Sequence, residues 1–485
     1  MRSLLLLLIL LVAGSCTLFV AGSVTPCDND GDCKSAQVCT SGFCNDDPNA
    51  AAEGEGEGEG EEGEGEGEEG EGEGEGEEGE GEGEEGEGEG EGEPGEGEGE
   101  GEGEGEGEPP FQGCGDVPNA AWADAQFAFR IPLSFCDRAG PDVDVVDLPV
   151  LVRLGNGDID FDEVLQGGKD IRFIDQRGAS PVVLAHQRQV FRNDGNDAND
   201  VALLWVKVPR MNTFTEEDHV WMYYGSANNT ETSSGANTFS TYDAAWHFDD
   251  GDPITLPEIK RGNRTLIGSN NLDTNPSFVE RGLNLSGNNA FAVMDEAGNG
   301  QVANTFGLLT GQGSISVLLG PADAGALSNG MAVFYSDGQG PQSGGFDQRS
   351  VHITITDTAG GGALAGVGVS MPTSPPRPAT PTFVVAAGGV INRNAFNHVL
   401  VSWTASNVQI FVNGNFAVEQ AATIVPVAAG IRFIDIGTSQ LLANVMRGGV
   451  DELRTSNSPR SVAFARAEGR STLGQLVEIG AIEAQ

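Results

Sequence analysis

The chain has 485 residues and a formal net charge of −49, from 74 acidic and 25 basic side chains. With no clustered run of Lys or Arg, that balance excludes a protein that works by gripping nucleic-acid phosphates. The charge is uneven: the 56 residues from Glu53 to Glu108 hold 30 Glu, 25 Gly and Pro94, and so carry −30 of it, whereas residues 109–485 carry a moderate −16.

Residues 1–23 open with Arg2, continue as an apolar run from Leu4 to Ala21 and end in small residues. This is the pattern of a secretory signal peptide, and cleavage after Ser23 fits a small-x-small site. Two alternatives stand beside it. Leu4 to Ala21 is nearly long enough to be a retained membrane anchor, and Ala13-Gly14-Ser15-Cys16 loosely follows a lipoprotein box, which would put a lipid on Cys16. Cysteine usage agrees with export to the cell surface, the periplasm or the medium. After cleavage, Cys27, Cys33, Cys39, Cys44, Cys114 and Cys136 remain. An even number suits disulfides in an oxidising compartment. Zinc fits the first four poorly, since they contain no C-x-x-C pair and no His lies nearby.

Residues 24–50 are too short for an apolar core, so disulfides are expected to hold them. Spacing alone leaves three connectivities open. The pattern C…D.DC…Q.C..G.C (27–44) resembles the small four-cysteine modules of bacterial surface proteins, and that resemblance implies Cys27–Cys39 and Cys33–Cys44. Residues 51–112 follow as a disordered acidic linker. The Glu/Gly tract has no apolar side chain to offset the entropy of ordering it. Gly at alternate positions excludes a helix, at about 1 kcal/mol each against Ala. A flexible coil of this length spans roughly 40 Å, and repulsion between Glu side chains extends it. The alternative, a working polyanion, would bind cations without fixed geometry and so without selectivity.

Residues 113–240 read as all-β. FAFRIPLSF (127–135), LPVLVRL (148–154), DIRFID (170–175), VVLAHQRQVF (182–191), VALLWVKVP (201–209) and HVWMYYGS (219–226) are short β-rich runs between turn-rich stretches. Such spacing predicts a sandwich or barrel. The order R-I-P-L (130–133), L-P-V-L-V-R-L (148–154), D-I-R-F-I-D (170–175), L-W-V-K-V-P (204–209) and W-M-Y-Y-G (221–225) resembles the bacterial DUF2341 domain, a β-rich extracellular module. Cys114 and Cys136 are additions to that pattern, expected to staple the preceding segment to the first strand. NDGNDAND (193–200) lacks the EF-hand pattern and reads as a solvated loop.

Residues 241–480 are also β-rich. Asn413-Gly414 between QIFV and NFAVE is a strong hairpin signal, because a type I′ turn needs positive φ at both positions. A-W-H-F-D-D-G (245–251), N-H-V-L-V-S-W-T-A with Q-I-F-V-N-G (397–414) and G-V-D-E-L-R-T-S-N-S-P-R-S (449–461) resemble, in order, three signatures of laminin-G-like, concanavalin A-like jelly rolls. The resemblance implies a second β-sandwich and a calcium ion held by Asp249, Asp250 and Asp451. The alternative is that Asp451 pairs with Arg454 and that Asp249-Asp250 turns into Gly251. Trp246 and Trp403 lie in apolar runs and are expected in the core. Tyr335 and Phe346, near Asp337, are the looser candidates for a ligand-binding surface.

No catalytic residues emerge. Sandwich hydrolases need two carboxylates facing one groove, yet no E-x-D-x-x-E run is present, and Asp451-Glu452 would point to opposite faces of a regular strand. His186, His219, His247, His352 and His398 are scattered, without a metal-binding spacing. The reading is an exported surface protein with a non-catalytic binding role through the jelly roll, its partner an extracellular glycan or a surface protein. It would meet the membrane only through its signal or a lipid on Cys16. A structural or adhesive envelope component is the alternative, and a glycoside hydrolase the lesser one.

Overall fold

The computed structural model describes residues 37–40, 43–46, 117, 120–135, 144–195, 199–211, 218–249, 255–260, 265–268, 272–286, 292–294, 311–320, 331–337, 351–357, 364–371, 385–425, 433–437 and 446–485. The signal segment, the Glu/Gly tract, Cys27, Cys33, Cys114, Cys136, Asp250 and Phe346 lie outside them. The chain divides into two compact units, Met1–Gly101 and Glu102–Gln485. No helix among the described residues is long and apolar enough to cross a membrane.

In the first unit, β1 (Gln37–Thr40) and β2 (Phe43–Asp46) form an antiparallel hairpin. Its register sets Cys39 directly opposite Cys44.

The second unit is all-β apart from short helices. It begins with β3 (Phe129–Phe135), β4 (Val145–Gly155), β5 (Arg172–Asp175), β6 (Val182–Val183), β7 (His186–Arg192), β8 (Val201–Met211) and β9 (His219–Tyr224). After α1 (Gly235–Thr238) come β10 (Ala244–Trp246), β11 (Thr255–Pro257), β12 (Thr265–Gly268), β13 (Asp273–Pro276), β14 (Arg281–Ser286) and β15 (Ala292–Met294). The next strands are β16 (Gly313–Leu319), β17 (Met331–Asp337), β18 (Val351–Asp357), β19 (Leu364–Ser370) and β20 (Val385–Asn392). They are followed by β21 (Asn397–Trp403), β22 (Asn407–Val412), β23 (Asn415–Ala421), β24 (Phe433–Ile436) and β25 (Arg447–Ser456). The chain finishes with α2 (Val462–Thr472), β26 (Val477–Ile479) and β27 (Glu483–Ala484).

The first sandwich faces a sheet ordered β26-β3-β9-β5-β6, with β27 also on β3, against the three-stranded sheet β4-β8-β7. All six residues of β9 are buried. Period-2 alternation explains this: Val220, Met222 and Tyr224 enter the inter-sheet core, while Trp221 and Tyr223 lie on the other face. There Val117, Ala120, Trp122, Ala123 and Phe127 cover them.

The second sandwich packs a sheet ordered β13-β14-β25-β16-β21-β22-β23, with β10 also on β25, against one ordered β11-β12-β15-β24-β17-β18-β19-β20. Trp246, Ile315, Val317, Val399, Val401, Trp403, Val450 and Leu453 fill the space between them. Trp246 and Trp403 are therefore core residues, as their apolar runs imply. The hairpin at 413–414 forms between β22 and β23, with φ of 54° at Asn413 and 82° at Gly414.

The two sandwiches share an apolar layer. Leu318 and Ala245, on the outer face of the β10–β25–β16 sheet, join Leu148, Val150, Trp205 and Phe239 of the first sandwich in one cluster. Helix α2 adds Ala463, Phe464 and Ala467 to the same cluster. Ser461 caps α2 by accepting from the Phe464 N–H at 3.2 Å, and the Ser471 hydroxyl accepts from the Leu151 N–H of β4 at 2.9 Å. From α2 the chain returns to the first sandwich, where β26 and β27 lie antiparallel to β3.

Candidate functional site

Three groups of polar residues bear on function, and strand β25 organises two of them. Between β16 and β25 the register steps from Ser316–Arg454 to Leu318–Asp451. Two residues of β25 thus oppose one of β16, which makes a β-bulge. Glu452 occupies it with φ of 50°. The bulge breaks the strict alternation expected for Asp451-Glu452 and brings both carboxylates inside, each about 1% exposed.

Glu452 turns into the joint between the sandwiches. Its Oε1 lies 2.7 Å from His247 Nδ1 and accepts from Gln189 Nε2 of β7 at 3.4 Å. Its Oε2 accepts from Arg454 Nη2 at 2.8 Å. Arg454 Nη1 donates to Glu468 of α2 at 3.0 Å, and the Ser316 hydroxyl donates to the same Glu468 oxygen at 2.7 Å. Burial by itself would raise both carboxyl groups. His247 and Arg454 hold Glu452 below the usual range, and Arg454, His398 and Arg460 do so for Glu468. Arg454 is therefore committed to Glu452 and Glu468, and the expected alternative pairing of Asp451 with Arg454 does not form.

Asp451 turns the other way. Its Oδ1 accepts from the Glu452 N–H at 2.8 Å. Its Oδ2 makes no hydrogen bond of normal geometry with a described residue, although the Ser277 hydroxyl lies near enough to favour the ionised form. Burial, the neighbouring Glu452 and then Asp249 push this carboxyl well above the ordinary range. Asp249 and Asp451, named from sequence, thus lie within electrostatic reach of each other. Among the described residues no group of three or more His, Cys, Asp or Glu could hold a metal ion.

The third group lies on the sheet that carries β17, β18 and β24. Val351, Ile353 and Ile355 of β18 point into the core, so alternation places His352 on the opposite face. Register sets Tyr335 of β17 beside His352 on one side and Asp435 of β24 on the other, and His352 beside Ser370 of β19. An aspartate, a tyrosine, a histidine and a serine thus form one cross-strand row. Asp337 stands two residues along β17, in register with Phe433. Sequence reading singled out Tyr335 and Asp337 but missed His352, Ser370 and Asp435, because strand register is not visible in isolated runs. Burial pushes His352 down to about 3. His398, in the joint, is buried as well and lowered to about 4 by burial, and its ring nitrogens make no hydrogen bond among the described residues.

Residues 167–251 match the domain family described as "Domain of unknown function (DUF2341)". The second unit is thus an all-β, two-sandwich body with a DUF2341 domain spanning β5 to β10. The match leaves out β3, β4 and the C-terminal strands. No curated protein matches the chain. Among solved structures, domain 4 of AbnA, a GH43 extracellular arabinanase from Geobacillus stearothermophilus, in complex with arabinotriose, is similar at 16% identity and a TM-score of 0.32, over 47% of this chain and 98% of that one. The botulinum neurotoxin serotype D binding domain is similar at 11% identity and a TM-score of 0.33, over 48% of this chain and 52% of that one. The binding domain of Paraclostridial Mosquitocidal Protein 1 follows at 8% and 0.33, over the same shares. The chain spans about half the length of these two toxin domains.

Proposed function

We propose that the protein is an exported, non-catalytic binding protein that recognises an extracellular glycan or surface protein through its second sandwich. What supports this reading is the strand register that aligns Asp435, Tyr335, His352 and Ser370 across four neighbouring strands of one sheet. An aromatic residue aligned with acidic and hydroxyl-bearing ones is the set of residue types a sugar site uses, one for stacking and the others for hydrogen bonds. The Glu452 and Glu468 carboxylates are held in buried salt bridges with Arg454, which suits cohesion better than proton transfer to a substrate.

The jelly-roll resemblance brings calcium with it. Two aspartates within electrostatic reach of each other, one of them fully buried, suit a hard cation. Asp249 and Asp451 would hold the ion, with Asp250 next in sequence, and it would neutralise their mutual repulsion. In this reading Ca2+ raises the melting temperature of the wild-type chain and leaves an Asp451→Asn variant unmoved.

The test of function is a glycan array probed with the full-length chain, with Ca2+ and with a chelator. Saturable binding to a defined class of glycan supports the reading. Silence in both conditions removes the glycan and leaves a protein partner or the structural alternative. The apolar layer shared by the sandwiches fits that alternative and the binding reading alike.

A further inference from the structure

One edge of β3 is covered by the last residues of the chain. Val477 stands opposite Phe135, Glu478 opposite Ser134 and Ile479 opposite Leu133. Glu483 then stands opposite Arg130, and Ala484 opposite Phe129. The covering strand breaks at Gly480, and the reason lies in β3. Gly480 N–H donates to the Pro132 carbonyl at 2.9 Å, so the side of Pro132 that has no N–H to offer also faces this edge. A Cβ on Gly480 would meet Pro132 Cγ at 2.5 Å, so only glycine fits over the proline. Beyond this notch Glu483 reaches the guanidinium of Arg130 at 2.6 Å. That guanidinium is already aligned between the rings of Trp122 and Trp221, 4.5 and 3.9 Å from their centroids. It also donates to the Ala120 carbonyl at 2.8 Å.

We propose that the edge of β3 is a strand-acceptor site completed last, by residues 473–485 of the same chain. An extended segment fits it when a glycine falls over Pro132 and a glutamate over Arg130. Some 340 residues separate β3 from β26. During N-to-C synthesis at ~5–20 residues per second the edge therefore waits for tens of seconds. An open strand edge of that kind invites unwanted pairing, and proline is a recognised guard against it. Pro132 protects the waiting edge, and Gly480 is the matching notch in the segment that finally closes it. The matched DUF2341 region, residues 167–251, contains neither half of this closure, so the first sandwich depends on the far end of the chain.

The experiment compares the full chain with a version ending at Thr472, by amide hydrogen exchange, and then adds the peptide 473–485 in trans. In the shortened chain the amides of Arg130 and Ser134, which face the closing strands, should lose protection by roughly 100-fold or more, while those of β21 and β22 keep theirs. The peptide should restore protection saturably. Gly480→Val and Glu483→Lys peptides should each bind at least about tenfold more weakly. If the shortened chain fails to fold alone or with peptide, the full-length Gly480→Val variant decides. It should speed exchange in β3 and not in β21. Protection of β3 unchanged on shortening, equal binding by the variant peptides, or a strand-exchanged dimer of the full chain would each overturn the proposal.

Discussion

The guanidinium of Arg454 in the second sandwich lies 4.4 Å from the ring centroid of Trp205 in the first. The same group holds Glu452 at 2.8 Å and Glu468 at 3.0 Å. One side chain thus joins both sandwiches and α2. Removing it takes the shared guanidinium from two buried carboxylates, which costs about 3–5 kcal/mol. Arg454→Met should lower stability by that amount in urea unfolding. Adding Glu452→Gln and Glu468→Gln should recover most of the loss, because the charges that needed Arg454 are then gone.

The hairpin at Asn413-Gly414 is clamped by α2. A Cβ on Gly469 would come within 2.4 Å of Gly414 N and 2.7 Å of its Cα. Those are backbone atoms and cannot swing aside. Gly469→Ala should destabilise by about 1–3 kcal/mol. Gly388 in β20, with nothing within 4 Å of its added Cβ, should accept Ala within about 0.5 kcal/mol. Thermal melts of the two variants make the comparison.

Much of the architecture could be read from local pattern. The apolar runs around Trp246 and Trp403 are core, Asn413-Gly414 turns as its residues require, and residues 167–251 fall in the DUF2341 family. Four features could not be read so. The bulge at Asp451-Glu452 arises from long-range pairing of β25 with β16, which the run of β25 alone does not show. Helix α2 is not expected from the sequence: its buried face is set by packing against strands distant in the chain, and its cap at Ser461 falls at the end of a stretch that reads as a closing strand signature. The return of β26 and β27 to β3 is a contact across most of the chain. The row Asp435–Tyr335–His352 needs three strands in register before it exists at all.

Acid should weaken the fold in a defined window. His186 and His398 are each buried and lowered from 6.5 to about 4. Both are neutral when folded, whereas the unfolded chain takes up protons below about 6.5. Stability is then full above pH 6.5 and falls as pH drops from 6.5 through 4, by on the order of 3 kcal/mol per histidine. Denaturation midpoints across pH 4–7 measure this. His398→Asn should flatten the slope over that range.

Position should matter more than charge in the Glu53–Glu108 tract. Exchanging it for a Gly/Ser segment of equal length should leave glycan binding unchanged within about twofold, since the exchange keeps the number of residues and removes only the charge. Array signals of the two proteins at matched concentration provide the measure, and a large loss would assign function to the polyanion.

The most direct test of the binding account is the glycan-array signal of a Tyr335→Ala chain against wild type, with the melting temperature of each recorded alongside. Removing the ring from the centre of the Asp435–Tyr335–His352 row should reduce binding by roughly tenfold or more while the melting temperature stays close to wild type. Undiminished binding by Tyr335→Ala, to the same glycans as wild type, would contradict the assignment of that sheet face as the recognition surface.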